Sequence, residues 1–193
     1  MLLLLAAFLV GGATLSCSQS EGVLSRHHPQ LIVDDSVAPD FEALARETWD
    51  QFLDVFQARS DCFGDVRLRA SYILHSRAAY DPASATVTVR VPGTPAMLQS
   101  ALVHEWAHHI EFQCKEHREL RRAFLIAQGL SPDTPWRPDG AWEEIPASAW
   151  ADIPSEQYAE AVVVLVVGER PIPTKARVSG EAVSVIRDWA TGG

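Results

Sequence analysis

The sequence predicts a single small α+β domain. A short, mostly antiparallel sheet packs on a helix carrying His104-Glu105-Trp106-Ala107-His108, and a second core helix lies against it. Three observations predict this. Apolar residues recur near every 3.6 positions over residues 40–59 and 95–122, the helical period. Apolar and polar residues alternate over 66–74 and 86–91, the strand period. Residues 162–167 are wholly apolar, a run too short to cross a bilayer and suited to a helix in a core. With 193 residues, 47% hydrophobic and 21% charged, the chain can bury one core and is too apolar for disorder.

Residues 1–16 read as a signal peptide, because an apolar run gives way to small and polar residues. Ala13-Thr14-Leu15-Ser16-Cys17 resembles a bacterial lipobox, which implies a lipid on Cys17; simple secretory cleavage near Ser16 is the alternative. Residues 17–30 are polar and are expected to be a flexible tether, leaving 31–193 as the domain. Export places the protein outside the cytoplasm, at the cell surface or secreted, and on the membrane through its N-terminal lipid or signal segment. In that compartment Cys62 and Cys114, the even pair left beside Cys17, are expected to form a disulfide. The net charge of −9 and the lack of a Lys/Arg cluster exclude nucleic acid as the expected partner.

Leu31-Ile32-Val33 is a short strand or packing anchor. Pro39 and Asp40 open the first helix, which buries Phe41, Leu44, Thr48, Phe52 and Phe56. Residues 66–74 and 86–91 form an expected antiparallel pair joined by a long connection. Thr94 caps the motif helix and Pro95 takes its first position, where a missing N–H costs nothing. Its apolar periodicity runs on to about residue 122. Residues 128–154 hold five prolines and Trp136, Trp142 and Trp150, a long irregular segment that either anchors to the core or lines a groove. Pro154 and Ser155 start the second core helix and Gly168 ends it. A short helix over 181–190 closes the chain.

Histidines four apart share one helix face, so His104 and His108 can reach one metal ion. Glu105 is free to act as a base beside it. A catalytic zinc site needs a third protein ligand and an open position. The metzincin pattern fails, because Cys114 stands six residues after His108 where that pattern has histidine. Glu156 and Glu160 are four apart on the later core helix: one can bind the metal while the other accepts a hydrogen bond from a ligand histidine.

H-E-x-x-H on one helix with E-x-x-x-E on a later one resembles the gluzincin metallopeptidases, the thermolysin-like clan. The helix 156–160 and its separation from the first motif also look like lethal-factor-type toxin peptidases and minigluzincin domains. The resemblance covers residues 66–168. It implies a zincin fold and a Zn2+ cofactor held by His104, His108 and Glu156, with Glu160 supporting His104. It further implies hydrolysis of a peptide or protein substrate with Glu105 as general base, and substrate pairing along an edge strand, for which residues 86–91 are the candidate. Tyr158, Tyr80 and His117 are the candidate oxyanion donors. The alternative is a non-catalytic zinc-binding surface lipoprotein that binds a protein partner.

Overall fold

The computed structural model describes residues 28–138, 149–168 and 176–193. The signal segment, Cys17, most of the tether and Trp142 lie outside the described residues. The last residues assigned to the tether are tied to the domain. Trp49 Nε1 donates to the Pro29 carbonyl, Gln30 N–H to Asp65 Oδ1, and Val66 N–H to the Gln30 carbonyl.

The α+β class holds. Strands β1 (Leu31–Val33), β2 (Val66–Ser71), β3 (Ala78–Asp81) and β4 (Thr86–Arg90) form one sheet in the order β1-β2-β4-β3. Strand direction departs from the expected antiparallel pairing: β1 with β2 and β2 with β4 run parallel, and only β3 with β4 is antiparallel. The reason lies in residues 72–85, which contain a strand instead of a plain connection. After β2 the chain reverses into β3 and leaves a one-strand gap. A hairpin through residues 82–85 then returns β4 into that gap, parallel to β2 (Leu68 opposite Val87) and antiparallel to β3 (Tyr80 opposite Val87). Ala85 takes φ 49° in that turn. The strand within residues 86–91 is therefore interior to the sheet, and β3 is the edge on that side.

The helices are α1 (Pro39–Val55), α2 (Pro95–Gln113), α3 (His117–Ala127), α4 (Pro154–Val167) and α5 (Gly180–Ala190). Their starts follow local chemistry. Thr94 Oγ1 accepts the Met97 N–H, Ser179 Oγ accepts the Ala182 N–H, and prolines open α1, α2 and α4. At the far end of α4, Gly168 has φ 82°, which a residue with a Cβ rarely adopts. The motif helix does not run to residue 122. Cys114 is extended (ψ 109°), so α2 ends there and α3 starts afresh at His117. Apolar spacing continues across the break through Leu120 and Phe124, which hides it from a periodicity reading. The disulfide Cys62–Cys114 forms as expected and ties this break to the segment after α1.

α2 crosses the middle of the molecule. Its Leu102, Val103, Trp106 and Ile110 are fully buried. Trp106 meets Trp49 and Phe52 of α1, and α4 packs along α2 with its Ala159, Val162 and Val163 in the same core. Ten of the fourteen α4 residues, 154–163, are buried, whereas the end of its apolar run, 164–167, is only half-buried against the core. Among the described residues no helix is long and apolar enough to cross a membrane.

Candidate metal centre

The packing of α4 on α2 brings four predicted residues together. His104 and His108 sit one turn apart on α2, and Glu156 and Glu160 one turn apart on α4. The His104 and His108 Nε2 atoms are 3.2 Å apart. Glu156 Oε2 lies 3.1 Å from His104 Nε2, and Oε1 lies 3.5 Å from His108 Nε2. These donor atoms fall within 4.8 Å of one another and could hold a metal ion. Zinc–nitrogen bonds near 2 Å in a tetrahedron place neighbouring ligand atoms about 3.3 Å apart, so the spacing fits one cation.

Hydrogen bonding on the outer side of each ring supports the same conclusion. His104 Nδ1 lies 3.1 Å from Glu160 Oε1, and His108 Nδ1 lies 3.1 Å from Glu111 Oε2. A carboxylate only accepts, so these outer contacts call for a proton on each Nδ1, and the Nε2 contacts with Glu156 call for either a second proton or a cation. A cation in place of that second proton would meet both Nε2 lone pairs and the Glu156 carboxylate at once. The two acids of α4 thus have the separate positions that the E-x-x-x-E spacing allows: Glu156 inside the donor set and Glu160 behind His104.

Electrostatics follow burial and these contacts. Burial opposes ionisation of Glu156, but hydrogen bonds from His104 and His108 outweigh it and hold its carboxyl far below the usual range. Glu111 is likewise desolvated, yet His108 and Arg137 bring it down to about 2. Glu105 has no such partners. Its 8% exposed carboxyl is pushed up by burial, partly offset by His104 and His108, and nothing among the described residues hydrogen-bonds it.

The donor set opens into a cleft of about 660 Å3. His104, Glu105, His108 and Glu156 line one part of it. Ala78, Ala79, Tyr80 and Pro82, from β3 and its turn, line another, with Phe112, Arg137 and Trp150. Trp150 stacks on the His104 ring (centroids 5.7 Å, 22°), whereas Trp136 is buried against His117, Phe124 and Tyr158. The irregular segment therefore does both things that its tryptophans suggest.

The three candidate oxyanion donors separate. Tyr80 lines the cleft, but its proton is committed. The Gly64 carbonyl requires His109 to carry its proton on Nε2, so His109 Nδ1 accepts the Tyr80 hydroxyl at 2.9 Å, and Gln113 donates to the Tyr80 oxygen. Tyr158 and His117 are fully buried, pack against each other at 4.5 Å between ring centroids, and do not line the cleft. Burial holds His117 down to about 3, so it is neutral.

Glu111 and Arg137 take no part in the sequence-derived site. Glu111 was legible as the residue three positions after His108 on the same face. Arg137 had no signal, since it lies in an irregular segment. The Cys62 and Cys114 sulfurs also lie near Glu116, but as a disulfide they offer no thiolate to a metal. Set against protein-family models, curated proteins and solved structures, the chain gives no match.

Proposed function

We propose that the protein is a zinc-dependent metallopeptidase of the gluzincin type, exported and held at the membrane by its N-terminal segment. The observation that carries the reading is the convergence of His104 Nε2, His108 Nε2 and the Glu156 carboxylate beside a buried Glu105 that no described residue hydrogen-bonds. His104, His108 and Glu156 would hold the ion. Bound there, zinc supplies Lewis acidity toward a water and a carbonyl oxygen.

The chain's own residues account for the rest. Glu160 and Glu111 keep each imidazole proton on Nδ1 and so aim the Nε2 lone pairs inward. The raised carboxyl of Glu105 suits a base that takes a proton from water and passes it to the leaving amine. β3, the sheet edge beside the cleft, offers backbone groups to an extended peptide, the role expected of residues 86–91. Trp150 and Phe112 give that peptide apolar walls. The disulfide suits an oxidising compartment, in keeping with residues 1–16 as a signal peptide and Cys17 as a lipidation site.

One observation favours the alternative, a non-catalytic zinc-binding surface lipoprotein that binds a protein partner. Of the candidate oxyanion donors only Tyr80 lines the cleft, and its proton is held by His109. Glu105→Gln separates the two readings. Zinc-loaded wild type, incubated with a mixed peptide library and read by mass spectrometry, is expected to cleave, and Glu105→Gln to retain zinc without cleaving. Equal cleavage by both proteins contradicts the mechanism; zinc binding with no cleavage by wild type supports the alternative.

A further inference from the structure

We propose that Glu111 is a positioning residue of the metal centre: it fixes the ring of His108, and Trp136 and Arg137 fix Glu111 in turn. The inference rests on the metal reading above and adds to it the means by which the second histidine is oriented.

Glu111 lies three residues after His108, so one helical turn brings its carboxylate beside that ring. Its Oε2 is 3.1 Å from His108 Nδ1, and its side chain is only 2% exposed. A carboxylate this buried is costly without donors, and several reach it. Trp136 Nε1 donates to Oε1 at 2.8 Å. Arg137 donates through Nε to Oε1 at 2.7 Å and through Nη2 to Oε2. Arg121 Nη2 stands 3.8 Å from Oε1. Arg137 is itself seated over the Phe112 ring, 4.7 Å from its centroid.

A carboxylate buried only to pair with Arg137 has no need of His108. Here Oε2 is shared between them: it lies 3.1 Å from His108 Nδ1 and also accepts from Arg137 Nη2. The two imidazoles are thereby oriented by separate elements. Glu160 of α4 holds His104, while Glu111, gripped from the segment after α3, holds His108. An acceptor on Nδ1 fixes the tautomer, stops the ring from turning and raises the basicity of Nε2.

The test uses the chain stripped by a chelator, then titrated with Co2+, whose visible bands report the geometry around the ion, and with Zn2+ in competition. Glu111→Gln keeps the side-chain shape and one acceptor oxygen but loses the charge and the fork that grips Arg137. It is expected to lose about 10–100-fold in Co2+ affinity and to shift the visible bands. Trp136→Phe removes one donor to Glu111 and keeps an aromatic ring in the core; it is expected to show a smaller loss of the same kind. Wild-type affinity and bands in Glu111→Gln overturn the inference. Should Glu111→Gln fail to fold, unchanged affinity in Trp136→Phe overturns it instead. A folded wild type that binds neither cation overturns the metal reading itself, a different outcome from either.

Discussion

Replacing both Cys62 and Cys114 with alanine is expected to cost the domain much of its stability while leaving the metal centre in place. The disulfide closes a loop with a sequence separation of 52 residues. The chain-entropy account of cross-links assigns a loop of that length about 4 kcal/mol at 25 °C. In a domain of this size each kcal/mol moves the melting temperature by roughly 2–4 °C, so a fall of roughly 8–16 °C is expected. Cys114 is almost fully buried between α2 and α3, so its lost sulfur adds to that figure. The donor set should survive, because His104, His108 and Glu156 are placed by α2 against α4 and not by the helix end. The assay is thermal unfolding of oxidised wild type, reduced wild type and the double variant, with bound metal measured on each at 20 °C. Reduced wild type should follow the variant. A fall below ~3 °C would refute the loop argument. Loss of metal from a variant still folded at 20 °C would refute the claim that α2–α4 packing places the three ligands.

Phe124→Ala should destabilise the domain by about 3–5 kcal/mol in urea unfolding, since the ring is fully buried between Trp136 and Tyr158 and a cavity would remain; a cost under ~1 kcal/mol would contradict that packing. Acid should weaken the metal-free fold through Glu111. Its folded pKa of about 2 lies below the usual 4.5, so its contribution, on the order of 3 kcal/mol, is complete above pH 4.5 and lost as pH falls through about 2. Urea unfolding from pH 5 to 2 should show a shallower decline in Glu111→Gln, and parallel curves would contradict the assignment. Tyr80→Phe removes the hydroxyl that joins β3 to His109, at a cost of about 1 kcal/mol. It should speed hydrogen exchange of the β3 amides without changing metal affinity, and unchanged exchange would show that the link does not hold the edge.

How much was legible in the sequence depended on the range of each interaction. His104 with His108, and Glu156 with Glu160, are each one turn apart on a helix, so spacing alone showed that each pair shares a face. The pairing of α4 with α2 followed from chemistry, because two acids in an apolar helix need a cation and imidazole. β3 escaped notice because Ala78-Ala79-Tyr80-Asp81 is too short to show a period of two. Without it, the direction of β2 against β4 could not be inferred, since alternation encodes a buried face and not a neighbour's polarity. The break at Cys114 was masked by apolar residues that keep helical spacing on both sides of it. The grip of Trp136 and Arg137 on Glu111 is a contact across a separation of 25 and 26 residues that spans all of α3 and ends in irregular chain, which no local pattern records.

His104, His108 and Glu156 are proposed to form one zinc site. Zinc content of the purified mature domain tests it most directly, measured beside Glu156→Ala and Glu160→Ala. About one zinc per chain is expected in wild type, none in Glu156→Ala, and weakened but detectable binding in Glu160→Ala, where only the support behind His104 is lost. A folded wild-type domain that takes up no zinc, or a Glu156→Ala variant that holds it as wild type does, would rule out this site.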